Sequence, residues 1–104
     1  MSHHYRLAPN IGRMAAQVAP GLDIVHVAAL PNGPILVLEG SAATVWKHAE
    51  PGGTAEQIAE RVRVVYDKPL HDVLADVRTF LDDLVGRGLL VRIDEVEALS
   101  LIHI

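Results

Sequence analysis

The spacing of the apolar residues changes at Gly40-Ser41, and this change limits the fold more than any other feature of the chain. Before it, apolar residues form short β-branched runs, at residues 24–30 and 35–38. After it, they recur at i, i+3, i+4 and i+7, which places them on one face of a helix. Strands followed by helices, in a chain of 104 residues, predict one α+β domain with a single core.

The N-terminal part predicts a β-hairpin. The two apolar runs flank Pro31-Asn32-Gly33-Pro34, where proline fixes φ and Asn-Gly tolerates positive φ. Residues 5–7 and 14–18 are weaker strand candidates, because Pro9 and Gly12 interrupt them. Together these segments predict strands ahead of Gly40.

Three helices are predicted after Gly40. Ser41 is expected to cap the first, and residues 50–53 end it. Thr54 and Gln57 form a capping box for the second, and Pro69 begins the third. The apolar stripes of the three helices are, in order, Ala42, Val45, Trp46 and Ala49; Ile58, Val62, Val65 and Tyr66; and Leu70, Val73, Leu74, Val77, Phe80, Leu81 and Leu84.

The third helix is expected to end at Gly86 or Gly88, where glycine supplies a left-handed cap. Residues 89–91 then form a short returning segment. This order of elements predicts a winged helix-turn-helix-like α+β fold. Residues 1–93 are expected to form the domain and residues 94–104 an acidic tail. The last six residues match the translation of a transposon end used in sequencing libraries, which predicts that this hexapeptide is not native.

Composition excludes several classes of protein. The chain has no cysteine, which excludes disulfides and thiolate metal sites and suits a reducing cytoplasm. No segment approaches the roughly 20 apolar residues of a membrane span, and residues 1–10 contain no apolar stretch of signal-peptide length. The net charge of −4 disfavours a duplex nucleic-acid binder, which needs a basic patch. We therefore expect a cytoplasmic protein that contacts neither membrane nor nucleic acid.

No catalytic or metal-binding pattern is present. His26, His48 and His71 stand alone, and the adjacent His3 and His4 lie near the N-terminus, so none has the spacing of a metal site. Phosphate-binding glycine loops and nucleophile motifs are also missing from the sequence. We expect no enzymatic activity and no cofactor.

Asp72, Asp76, Asp82 and Asp83 lie on the predicted third helix. Asp72, Asp76 and Asp83 recur at i, i+4 and i+11 and so share a face. A catalytic carboxylate pair would need a cleft that raises one pKa. Two interpretations remain: a solvated acidic face, or a face that pairs with a basic peptide.

The apolar arc of the third helix is wider than a core-facing helix needs. Val73 and Phe80 lie on one shoulder of the arc, beside Asp76. A deep core would explain this width. The alternative is a groove, which an open strand edge at residues 35–38 would complete as a site for an added peptide strand.

Four motifs, in order, carry a resemblance to a known family: residues 40–46 (GSAATVW), 53–58 (GTAEQI), 76–84 (DVRTFLDDL) and 88–90 (GLL). In this order and spacing the chain resembles the PqqD family, the small chaperones of pyrroloquinoline quinone biosynthesis. It is similar also to the wider class of RiPP recognition elements, which act on ribosomally made and post-translationally modified peptides.

The resemblance implies a fold, a three-stranded antiparallel sheet packed on three helices, and it also implies a role. The leader of a precursor peptide would add as a strand beside the third strand and lie against the third helix. A modifying enzyme would be the second partner, often a radical S-adenosylmethionine protein. The implied peptide-binding residues are Ile35, Leu36, Val37, Leu38, Val73, Asp76, Val77 and Phe80.

Two other functions stay open on the sequence alone. A winged-helix DNA-binding protein would have the same order of elements, although aspartates on the third helix would repel phosphates. A docking subunit of an enzyme complex would use the same surface to bind protein. An exposed strand edge also leaves open whether the chain forms a homodimer.

Overall fold

The computed structural model describes residues 3–20 and 22–94, which form six strands and three helices. In chain order these are β1 (His3–Leu7), β2 (Ile11–Ala19), β3 (Leu22–Ala29), β4 (Leu36–Glu39), α1 (Ser41–Ala49), β5 (Gly53–Thr54), α2 (Ala55–Tyr66), α3 (Leu70–Gly86) and β6 (Leu90–Asp94). The predicted α+β class, with a three-stranded antiparallel sheet ahead of three helices, is confirmed. No described helix is long and apolar enough to cross a membrane. The hexapeptide predicted to be non-native lies outside the described residues.

Strands β2, β3 and β4 form an antiparallel sheet in that order. The predicted hairpin is therefore confirmed, but its connection is longer than a tight turn and takes up residues 30–35. Only glycine fits at position 33 of this connection, where the backbone N–H donates to the Ala29 carbonyl at 2.6 Å. A Cβ at Gly33 would lie only 2.4 Å from the same oxygen. Ile35 falls in the connection, so the expectation that it belongs to the strand is wrong.

A second three-stranded sheet, in the order β5-β1-β6, joins the two ends of the described chain. His3 lies opposite Asp94 and Leu7 opposite Leu90 in an antiparallel register. Tyr5 attaches this sheet to α3, since its hydroxyl donates to Oδ1 of Asp82 at 2.7 Å. Burial, together with the bond to the Asp82 carboxylate, raises the pKa of Tyr5. The phenol therefore stays protonated and keeps donating.

The helix ends follow the sequence with two exceptions, one at α1 and one at α3, where Pro69 is the N-cap and not a residue of the first turn. At α2 the Thr54 hydroxyl accepts from the Gln57 N–H and the Gln57 side chain accepts from the Thr54 N–H, so the capping box is confirmed. Gly88 has a φ of +79° after α3, and the Leu89 N–H donates to the Leu84 carbonyl, which closes that helix as predicted. At α1 the cap is Gly40 and not Ser41, which is the first helical residue.

The three helices and the inner face of the β2-β3-β4 sheet enclose the core, in which Val25, Trp46, Ile58, Leu81 and Leu84 are among the fully buried side chains. The stripes predicted for α1 and α3 are buried or packed against the core. On α2 the prediction holds for Ile58 and Val62. It is wrong for Val65 and Tyr66, which are 55% and 40% exposed in the last turn of α2, just before Asp67 ends the helix in a left-handed conformation.

Trp46 links α1 to the strands. Its ring is fully buried, and its Nε1 donates to Oε1 of Glu50. The same oxygen lies 3.1 Å from Nε of Arg13 on β2, and Lys47 of α1 lies 2.8 Å from Asp23 on β3. The β2-β3-β4 sheet is therefore held to α1 and its C-cap by two ion pairs as well as by apolar contact.

Replacing Thr54 by alanine should lower the free energy of unfolding by about 1 kcal/mol, since it leaves the Gln57 N–H without its acceptor. Replacing Ser41 by alanine is the matched control, because the Ser41 side chain makes no capping bond. We expect less than about 0.5 kcal/mol for the control. Urea denaturation of the two variants measures both values, and equal losses would contradict the assignment of the caps.

Candidate peptide-binding site

Strand β4 is the edge of its sheet among the described residues. The Leu30 N–H donates to the Asn10 carbonyl at 2.8 Å, and these residues face each other where the register of β2 and β3 continues. In an antiparallel sheet the hydrogen-bonded pairs alternate, so even-numbered residues of β3 bond to β2. Odd-numbered residues, such as Val25, then bond to β4.

The register of β4 follows from this alternation. Leu38 lies opposite Val25 and Leu36 opposite Val27, so the main-chain groups of Leu36 and Leu38 point towards β3. Those of Val37 point the other way. Its N–H and C=O lie on the open edge, where an added peptide strand would bond.

A groove of about 350 Å³ lies among the three helices. Its lining combines the first turns of α1, the end of α2, the α2–α3 connection and the first half of α3: Ser41, Ala42, Val45, Val62, Tyr66, Lys68, Asp72, Val73, Asp76, Val77 and Phe80. The α1 wall begins at Ser41, two residues after β4 ends. The groove therefore follows the open strand directly along the chain.

The floor of the groove is apolar and its rim is charged. Val45, Val73 and Val77 are buried in the floor, and Phe80, the sole phenylalanine of the chain, packs partly against the core. Asp72 and Asp76 lie on the rim one helical turn apart, and both are exposed. Such a surface can take an apolar side chain and a charged neighbour together.

The carboxylates of α3 differ in their partners. Asp82 accepts from Tyr5 and lies 3.2 Å from Arg92, and Asp83 lies 2.9 Å from Arg87. Asp76 forms no hydrogen bond or ion pair with any described residue. Asp72, Asp76 and Asp83 were predicted to share one face of the helix. The carboxylate of that face without a partner among the described residues, Asp76, lies at the groove.

The predicted site residues separate into two places. Val73, Asp76, Val77 and Phe80 come together in the groove. The four residues predicted on the strand do not line it: Leu36 and Leu38 pack towards the core, and Ile35 and Val37 are exposed. The strand contributes an open backbone edge, and α3 contributes the groove.

Sequence reasoning missed the remaining walls of the groove. The sequence predicts Tyr66 in the core stripe of the second helix and Ser41 at a cap. The sequence feature that could have identified Tyr66 and Lys68 as groove residues is the helix break at residues 67–69, which ends α2. An apolar residue in the last turn before such a break has no following turn to cover it.

A smaller pocket of about 170 Å³ lies beside Tyr5. Its arginine side chains form ion pairs with carboxylates of the same lining. Arg78 is bonded to Glu56 and Arg92 to Asp82. A hydrogen bond from its own backbone N–H lowers the pKa of Glu56, and the hydrogen bond and charge of Arg78 lower it further. These contacts join α2, α3 and β6, so the pocket serves the fold.

The histidines form no site within the described part of the chain. His26, His48 and His71 lie on β3, α1 and α3, and no group of three metal-binding side chains occurs among residues 3–20 and 22–94. Burial lowers the pKa of His48, and the nearby Arg61 and Lys47 charges lower it further. His48 is therefore a neutral, half-buried residue of α1.

A scan against family models matches residues 26–90 to PqqD, described as coenzyme PQQ synthesis protein D. No curated protein and no solved structure matches the chain significantly. The matched stretch is more than half of the chain and contains β4, all three helices and every residue of the groove. The chain therefore belongs to the PqqD family.

Proposed function

We propose that this protein is a non-catalytic peptide chaperone. It binds the leader of a ribosomally made precursor peptide in the cytoplasm and presents that peptide to a modifying enzyme. The leader adds as a strand along the open edge of β4 and places apolar side chains in the groove at α3. One observation carries the proposal: the outward main-chain groups of Val37 lie on an edge that no described strand covers, and the apolar groove begins two residues after β4 ends.

The two parts of this surface contribute different things. Main-chain hydrogen bonds along β4 provide affinity for any extended peptide, and the groove provides preference for certain side chains. Membership of the PqqD family supports a peptide-binding accessory role in a peptide-modification pathway. In such a role the chemistry belongs to the modifying enzyme, with a radical S-adenosylmethionine protein as the leading candidate.

The charge of α3 opposes the DNA-binding alternative. A recognition helix presents Arg, Lys, Asn or Gln to base edges, whereas the exposed groove side of α3 presents Asp72 and Asp76. Phosphates would be repelled from this face. Absence of a mobility shift on random duplex at low salt is the expected result.

The proposal is tested by titrating the chain with synthetic leaders of precursor peptides encoded near its gene, followed by fluorescence polarisation. Saturable binding to one leader, lost when that leader is scrambled, is expected. Replacing Phe80 by alanine should weaken binding by about tenfold, since burying half of an aromatic side chain contributes about 1.5 kcal/mol.

Val64 provides the matched control for Phe80. It lies on α2 outside the groove and is 68% exposed, so Val64→Ala should bind as the unaltered chain does. Circular dichroism establishes that both variants are folded. A folded Phe80→Ala variant with unchanged affinity would show that the groove is not part of the peptide-binding site. Failure of every leader, with the neighbouring enzyme both absent and present, would overturn the proposed function.

A further inference from the structure

The groove is electrically asymmetric. Asp72 and Asp76 occupy successive turns of α3 on its rim, and Lys68 stands at the start of that helix. The sole ion-pair partner of Asp72 among the described residues is His71, which is itself largely exposed. Two carboxylates at i and i+4 repel each other, so a cation placed between them would be stabilised by both.

This negative charge is specific to the groove end of α3. Farther along the helix, Arg92 and Tyr5 bind Asp82, and Arg87 binds Asp83. A peptide approaching α3 therefore meets weakly paired carboxylates only beside the apolar floor, where Asp76 has no partner among the described residues and Asp72 has only the exposed His71. The overall charge of −4 adds to the attraction of a basic segment.

An acidic peptide fits the same groove poorly. Lys68 is the one cation in the lining, and a carboxylate placed beside it would also approach Asp72, four residues further on. An uncharged peptide would leave Asp72 and Asp76 without a counter-charge while it excluded water from them. A desolvated charge without a partner costs free energy.

We propose that the groove selects peptide segments in which a lysine or arginine lies beside a large aliphatic or aromatic residue. The apolar residue packs on Val73, Val77 and Phe80, and the basic group bonds to Asp72 and Asp76. Arginine fits best, because its planar group can bond to two carboxylates at once. This inference rests on the proposed function and names the class of leader that the site takes.

The test uses random peptides of leader length displayed on phage. They are selected against the unaltered chain, the double variant Asp72→Asn/Asp76→Asn and the control Asp83→Asn. Asn keeps the size of each side chain, and Asp83 lies on the same helix outside the groove. Peptides with Lys or Arg next to an apolar anchor should be enriched on the unaltered chain and on the control, and this enrichment should vanish on the double variant.

Selected peptides are then synthesised with each basic residue replaced by glutamine. On the unaltered chain, each replacement should weaken binding about two- to fivefold, the range expected for exposed ion pairs. On the double variant it should have no effect. Added salt should weaken binding of the original peptides to the unaltered chain more than to the double variant.

Enrichment of neutral or acidic peptides, or the same basic enrichment on the double variant, would overturn this inference. Leader binding by the unaltered chain would then persist, and the proposed function would stand without the charge preference. Failure to select any peptide would overturn the inference as well. The proposed function would fall only if the natural leaders also failed to bind.

Discussion

Replacing Val37 by proline is expected to weaken leader binding by at least tenfold while the domain stays folded. Val37 directs its N–H to the open edge of β4 and not to β3. Proline removes that donor and places its ring where the added strand would lie, yet it removes no hydrogen bond of the existing sheet. A buried acceptor left without its donor costs about 1–3 kcal/mol, and 1.4 kcal/mol corresponds to a factor of ten.

Two further variants make this result specific. Val37→Ala keeps the N–H and should bind the leader with nearly unchanged affinity. Leu38→Pro should destabilise the whole domain, because the Leu38 N–H bonds to β3 and its side chain is buried. Affinity is measured by fluorescence polarisation and folding by circular dichroism. Normal binding by a folded Val37→Pro variant would mean that the leader does not pair with β4.

Replacing Trp46 by alanine should have the largest effect on stability. Its side chain is completely buried and is the largest in the core, and its Nε1 holds the Glu50 carboxylate that also binds Arg13. Removal of such a side chain costs about 3–5 kcal/mol. Domains of this kind have only about 5–15 kcal/mol in total, so the variant should be partly or wholly unfolded at 37 °C.

Urea denaturation followed by far-ultraviolet circular dichroism measures this loss, since Trp46 is the sole tryptophan and its fluorescence disappears with the substitution. Trp46→Phe is the control, because it keeps most of the apolar contact and loses the bond to Glu50. It should cost clearly less than the alanine variant. An alanine variant that unfolds at the same urea concentration as the unaltered chain would contradict the central place of Trp46 in the core.

The features that sequence predicted well are local. The capping box at Thr54, the left-handed Gly88 and the stripe of α3 each depend on residues within a few positions of one another, so the sequence contains their cause. The hairpin of β3 and β4 belongs to the same class. Its error at Ile35 arose because the apolar run identifies a strand but not where pairing begins.

The features that sequence missed depend on distant contacts. The pairing of β1 with β6 joins residues 3–7 to residues 90–94, and no local sequence pattern predicts this pairing. Likewise, periodicity places Tyr66 on the inner face of α2, but whether that face is covered depends on how far α1 and α3 extend. The groove is the part of these helix surfaces that the other described elements leave uncovered. The wide apolar arc of α3 indicated Val73 and Phe80, beside Asp76, and the family resemblance completed the set on this helix with Asp76 and Val77.

The pairing of β1 with β6 has a consequence for how the domain can be joined to a partner. His3 and Asp94 are neighbours across the sheet, and Tyr5 fixes this sheet to α3 at Asp82, about 9 Å along the helix axis from Asp76. An enzyme fused before residue 3 or after residue 94 would thus be tethered at the same point, beyond the groove. Fusion at either end would therefore give the bound leader nearly the same effective concentration at the enzyme. That concentration would depend on the length of the linker alone.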